Sequence, residues 1–248
     1  MSSGFLYRRL ASLMPCVFPG VGSGNLALKS KWEVASARDV FFSVHYWRLG
    51  STLKTPPKVV VDLGAHCGHF LVLMHLLVNE LFGQDVAEYF AVEANPALVA
   101  IAKRTVIDAG MDGRVEIFNA LAGKKTGEGI LNLQRHNLLT GTVGQASGQV
   151  TSQAEIPYLD LGSILPADTN IDVLKIDIEG SERDVIAEQP DFIRRASQVV
   201  IELHGSRSEM ESLQRQICQL GFEVVGPVLI KEDAMLVHYV NPRTHAAA

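Results

Sequence analysis

Residues 59–70 read VVVDLGAHCGHF. Three β-branched residues run into an acid, Asp62, and two glycines, Gly64 and Gly68, bracket the turn that follows. A short, continuous apolar run that ends in turn signals reads as a strand covered on both faces. Residues 69–82 (HFLVLMHLLVNELF) continue as a buried helix. The acid therefore stands at the carboxyl end of a strand, where open α/β sheets bind their ligands. Gly64 is expected to let backbone approach a ligand, because it has no Cβ. Gly68 is expected to let the helix start tightly against the strand.

Strand and helix patterns keep alternating beyond this point. AEYFAVEAN (87–95) is a second strand, and Asn95-Pro96 supplies a helix N-cap and first-turn proline. That helix ends near Gly110. RVEIFNALAG (114–123), DVLKIDIEG (172–180) and SQVVIELHG (197–205) are three more strands, with helices after Ser181 and over 208–221. FEVVG and AMLVHYV close the chain as an antiparallel hairpin. The pattern predicts an α/β fold of the Rossmann-like type: a mostly parallel sheet of seven strands with helices on both faces. KTPPK (54–58) marks a boundary. A domain over 56–242 thus follows an extension over 1–55, in which Val40, Phe41, Val44 and Trp47 have helical spacing across 37–49. Residues 124–157 break the rhythm. GILNLQ and AEIPYLDL flank a polar middle, HNLLTGTVGQASGQ, and form a hairpin insertion or a lid over the site.

Bulk properties exclude some functions. The net charge is −5, which offers no basic surface for a nucleic acid. Three cysteines without a CxxC argue against a disulfide framework or zinc ribbon and for a reducing, cytoplasmic setting. Cys67 reads as a small residue in a tight turn. No apolar run reaches the length of a membrane span. FLYRRLASLMPCVF loosely resembles a targeting segment, but Pro15 and Pro19 interrupt it, and a packing extension is expected instead. That extension can pack within the chain or between copies. The final THAAA reads as a frayed tail.

The glycine spacing narrows the chemistry. A nicotinamide fingerprint needs glycines two and five residues after Gly64, where this chain has His66 and His69. No Gly-Lys-Ser/Thr marks a phosphate loop. Instead, the Asp-x-Gly-x-x-x-Gly of residues 62–68 resembles the first motif of class I S-adenosylmethionine-dependent methyltransferases. LKIDIEGSE (174–182) and VVIELHG (199–205) resemble the FkbM methyltransferase family, with IPYLDLGSIL, GFEVV and DAMLVHYV matching its flanks. The resemblance covers about residues 58–240. It implies S-adenosylmethionine as cofactor and transfer to oxygen. It places Asp62, Gly64, Ala65, His66, Gly68, Phe70, Glu93, Ala94, Asn95, Asn119, Ala120, Leu121 and Asp177 around the cofactor. Glu93 suits the ribose, because one carboxylate accepts from two hydroxyls. Asn119, Ala120 and Leu121 suit the adenine. The family usually carries Asn at the position of His66, whose contact with ligand is expected through its backbone.

With strand order 3-2-1-4-5, Asp177 faces Asp62 across the switch point. Unliganded, the two carboxylates should repel and raise at least one pKa. Asp177, Glu179, Glu202 and His204 then form one rim on the acceptor side. Two acids and a histidine can deprotonate a hydroxyl, with His204 the first candidate base and Glu179 the second. They can equally hold a divalent metal, or Glu179 can simply cap the next helix. Lys175 is expected to bond locally, and His45, His75, His136, His238 and His245 have no partner visible in sequence. The leading reading is O-methylation of a small molecule, sugar or glycolipid. A non-catalytic cofactor- or partner-binding module is the alternative, and the missing glycines weigh against a dehydrogenase.

Overall fold

The computed structural model describes residues 28–134, 137–143 and 152–245. The arginine-bearing N-terminal stretch, half of the polar middle of the insertion and the alanine tail fall outside these.

The described residues begin with helices α1 (Lys31–Phe41), α2 (Val44–Trp47) and α3 (Leu49–Thr52). One helix was expected over 37–49. It starts earlier because Ser30 caps it, its side chain accepting from the Glu33 N–H, and it breaks at Phe42. The buried face keeps Phe41, with Val40 packed against the core, but extends to other residues. Ala37, Phe41, Tyr46 and Leu49 point inward, while Trp47 is partly exposed and its indole N–H donates to the Phe41 carbonyl at 2.7 Å.

The alternating core follows as read: β1 (Val59–Leu63), α4 (His69–Phe82), β2 (Glu88–Glu93), α5 (Pro96–Asp108) and β3 (Val115–Asn119). After an insertion come β4 (Glu128–Gln134), β5 (Asn137–Val143) and β6 (Ser152–Pro157). Next are β7 (Ile171–Ile176), α6 (Glu182–Glu188), α7 (Pro190–Arg194), β8 (Ala196–His204) and α8 (Arg207–Gln219). The chain closes with β9 (Glu223–Val224), β10 (Leu229–Ile230), β11 (Ala234–Val240) and α9 (Pro242–His245).

The main sheet runs β10-β11-β8-β7-β1-β2-β3, with β9 also paired to β11. It has eight strands rather than seven, because the penultimate strand is split. Gly226, at φ 77°, and Pro227 interrupt the ladder between β9 and β10. β1 pairs in parallel with both β2 and β7, so the strand order reverses beside Asp62. All five β1 residues are buried, as a central strand between two helix layers requires. The two faces carry separate apolar layers. Val61, Leu63 and Leu174 lie on one, and Val60, Phe70, Leu73 and Tyr89 lie on the other.

Two additions cover the carboxyl ends of the strands. α1 lies on α4 and is fastened to α5 by an ion pair between buried Glu33 and Arg104. The insertion forms its own antiparallel sheet, β5-β4-β6. Its Leu131 and Ile156 pack on Leu121, and β5 runs beside α1.

Candidate active site

A cleft of about 800 Å³ opens over the carboxyl ends of β1, β2, β7 and β8, with α1 and Leu131 completing its wall. Its two sides are built differently.

On one side, Asp62 is fully buried at the end of β1. The β1–β7 register sets Asp62 beside Lys175, and the Lys175 ammonium lies 3.0 Å from Asp62 Oδ1. The same ammonium donates to the Gly64 carbonyl at 3.0 Å and lies 3.5 Å from Asp177 Oδ2. The expected repulsion is present, since the Asp177 charge adds to the rise in the Asp62 pKa, but a buried cation lies between the two acids and offsets part of it. Besides its local partner Asp177, Lys175 ties β7 to the turn after β1. Burial pushes the Asp62 carboxyl up, and the Lys175 charge opposes that. Asp62 Oδ2 is buried with no hydrogen-bond partner among the described residues.

Glu93 ends β2 and is nearly buried. One carboxylate oxygen accepts the His66 N–H at 2.8 Å and the other the Asn95 N–H at 2.7 Å. Each keeps a further lone pair, so two hydroxyls can be accepted in a fixed direction. Ala65, Phe70, Ala94, Asn95, Ala120 and Leu121 line the cleft. Asn119 does not. Its side-chain amide donates to the Glu93 and Ala94 carbonyls at 3.0 and 2.9 Å, bracing the end of β2.

The turn between the glycines departs from the reading in three ways. Gly64 lines the cleft, but its missing side chain serves the neighbouring strand: a Cβ there would lie 1.7 Å from the Asp177 carbonyl oxygen. Gly68 packs against Ala102 of α5 rather than against the strand. The His66 backbone N–H is already engaged by Glu93, while both ring nitrogens are buried and unpartnered among the described residues. His66 sits in the left-handed region at φ 49°, where Asn and His are over-represented. Burial and the Lys175 charge lower its pKa to about 4, leaving a neutral ring. Cys67 is buried beneath the turn and its thiol is pushed up to about 12 by burial, so it is inert.

On the other side, Asp177, Glu179 and His204 converge, with one donor atom from each within 4.8 Å of the others. His204 Nε2 lies 3.7 Å from Glu179 Oε2, and its Nδ1 lies 3.0 Å from Glu182. Desolvation and the Asp177 charge push Glu179 up to about 7. Burial opposes a charged His204, but the Glu182 hydrogen bond and the nearby carboxylates outweigh it and lift the ring to about 9. Glu179 does not cap α6; Glu182 accepts the turn's free N–H groups instead. Glu202 lines the cleft and is paired with Lys231 at 2.6 Å. A carboxylate pair and an imidazole suit a divalent ion, yet each already has a charged neighbour, Lys175 for Asp177 and His204 for Glu179.

A family model for the methyltransferase FkbM domain matches residues 62–224. The chain belongs to the FkbM methyltransferase family.

The fold agrees with that membership. The FkbM methyltransferase of Methylobacillus flagellatus KT superposes with a TM-score of 0.53 at 17% identity, covering 82% of this chain and 48% of that one. This chain therefore spans about half the length of that relative. A protein of Pyrococcus horikoshii described as a candidate RNA methyltransferase gives a TM-score of 0.50 at 11% identity, covering 97% and 98% of the two chains. No curated protein sequence matches significantly. Among the described residues, no helix is long and apolar enough to cross a membrane.

Sequence reasoning missed three contributors to this FkbM-family cleft. Glu182 was read only as part of a motif. Lys175 was given no part in the site. The α1 residues Ser36, Asp39 and Val40 line the cleft from outside the matched domain. Ser36 Oγ meets His69 Nδ1 at 2.9 Å, which docks α1 on the helix that follows the glycine turn. The Ser30 cap signal was the local cue that a helix ran through these positions.

Proposed function

We propose that this FkbM-family methyltransferase takes its methyl group from S-adenosylmethionine and delivers it to a hydroxyl of a sugar, glycolipid or other small polyhydroxylated acceptor. The observation that carries the reading is the convergence of Asp177, Glu179 and His204 on the cleft wall across from Glu93. The residues fit the cofactor. Glu93 offers two held acceptors for ribose hydroxyls, Ala120 and Leu121 an apolar shelf for adenine, and the unpartnered Asp62 Oδ2 an acceptor for the methionine end.

When bound, S-adenosylmethionine supplies a methyl carbon on a cationic sulfur. The protein's part is to hold the acceptor oxygen in line with that carbon and to take its proton. Glu179 is the acceptor of that proton, because a carboxyl near 7 is largely ionised at slightly alkaline pH and still basic enough to work. The earlier preference for His204 is thereby reversed. As an imidazolium it steadies the Glu179 carboxylate. We read residues 1–55 as an extension that roofs the cleft through α1, and 124–157 as an insertion that closes the adenine end of a domain over 56–242.

The test has two parts. S-adenosylhomocysteine at about 100 times its dissociation constant should add roughly 2.7 kcal/mol of stability, or about 5–10 °C in Tm, and NAD should add none. Labelled methyl transfer to polyol and glycolipid acceptors should yield an ether stable to mild base. Transfer only to nitrogen or to RNA would refute the acceptor assignment.

A further inference from the structure

Glu182 is 0% exposed, and a carboxylate is almost never buried so completely without partners. Its Oε1 gathers three donors: the Ile178 N–H at 3.2 Å, the Gly180 N–H at 3.1 Å and His204 Nδ1 at 3.0 Å. Two of these belong to the turn that carries Glu179, and the third belongs to the end of β8. A single oxygen thus joins the two elements on which the proton-transfer pair is mounted. The turn it holds is a demanding one. Glu179 sits at φ 52°, a left-handed conformation that a residue with a long side chain keeps only where its surroundings enforce it. The ring is constrained as well. A carboxylate only accepts, so the nitrogen facing Glu182 must carry a proton. That leaves Nε2 turned toward Glu179, 3.7 Å away. The charged groups that bear on the ring are Glu182, Glu179 and, from the end of β7, Asp177.

We propose that Glu182 is a positioning residue for methyl transfer: it keeps a proton on His204 Nδ1, so that the imidazolium's titrating proton is the one on Nε2 facing Glu179, and it ties that ring to the turn presenting Glu179. The proposal rests on the reading of Asp177, Glu179 and His204 as the acceptor side. It differs from a purely architectural role, which would need the hydrogen-bond acceptor but not its charge. Gln at 182 keeps an acceptor for both backbone N–H groups and removes the charge, while placing an amide NH2 where the unpartnered Oε2 is buried.

The experiment is nitrogen-15 NMR of the full chain labelled in its histidine rings, with His204→Gln identifying the signal by its loss. In the unsubstituted protein, the neutral ring should be the Nδ1–H tautomer. In Glu182→Gln, the His204 titration midpoint should fall from about 9 by at least about one pH unit. Glu182→Asp, which keeps the charge, should restore most of it. S-adenosylhomocysteine affinity should stay within about twofold in both variants, since Glu182 lies on the acceptor side. An Nε2–H tautomer in the unsubstituted protein overturns the proposal whether or not the variants fold. An unmoved midpoint in folded Glu182→Gln overturns it too. Either result with normal S-adenosylhomocysteine binding leaves the methyl-transfer reading standing. Failure of the unsubstituted protein to bind S-adenosylhomocysteine overturns that reading and this proposal together.

Discussion

The two sides of the cleft are both acidic, yet they hold their charges in opposite ways. On the Asp62 side the ions are interior: Asp62 and Lys175 are both buried and locked at 3.0 Å, with the Gly64 carbonyl completing the cluster. On the Glu179 side the pair is at the cleft surface, with Glu179 exposed and 3.7 Å from His204. Buried ions must have fixed partners, because desolvation makes an unpaired one very costly. Ions at a cleft mouth can exchange protons, because water and ligand reach them. The first side is built to bind in one geometry and the second to change protonation during a reaction.

The sharpest way to break this contrast is at Gly64. A methyl group there would overlap the Asp177 carbonyl, and the backbone is at φ 83°. Gly64→Ala should join both sides in failure, yielding little folded protein or a Tm lower by roughly 6–12 °C. A normal melting curve would show that the turn can move. Lys175→Met comes next. It strands a buried carboxylate and should cost about 3–5 kcal/mol of stability in urea unfolding. Adding Asp62→Asn should recover much of that loss. Glu179→Gln is the opposite experiment. Stability should change by no more than about 0.5 kcal/mol, while turnover falls at least about 100-fold. A large stability loss there would erase the distinction between the sides.

Smaller effects sharpen it. Glu93→Ala should weaken S-adenosylhomocysteine binding about 10–100-fold by calorimetry, as expected for lost hydrogen bonds to a charged group. The pH dependence of kcat should carry the signature of Glu179. Its pKa is raised to about 7, so it remains largely protonated and inactive below that value and ionises above it. Turnover at pH 6 should thus be about a tenth of its plateau, and this limb should vanish in Glu179→Gln. Affinity for S-adenosylhomocysteine should not follow the same limb.

Much of the Asp62 side was legible before the structure. Strand β1, helix α4 and the Asn95-Pro96 start of α5 came from short-range signals: a β-branched run, an apolar stretch of helical length, a cap and a proline. Glu93 stood out because it ends the second strand, where one carboxylate can accept from two ribose hydroxyls. The roles within the turn were less legible. Gly64 and Gly68 were rightly placed, but their neighbours, Asp177 and Ala102, lie far away in sequence. Asn119 pointed toward the adenine by position, yet its amide is taken up by carbonyls at and just past the end of β2 that only strand pairing brings within reach. The repulsion between Asp62 and Asp177 was foreseen, but not the cation that offsets it, since only the cross-strand register inserts Lys175 between them.

By itself, then, the sequence determined the order and type of most elements and which strand ends carry acids, because periodicity, turn chemistry and capping act over a few residues. The tertiary structure decided which charges meet. Lys175 beside Asp62, Glu182 beneath His204 and α1 over the cleft join positions from distant parts of the chain, through pairing between strands and packing between helices. Such partners share no local pattern, and only the folded sheet sets their distances.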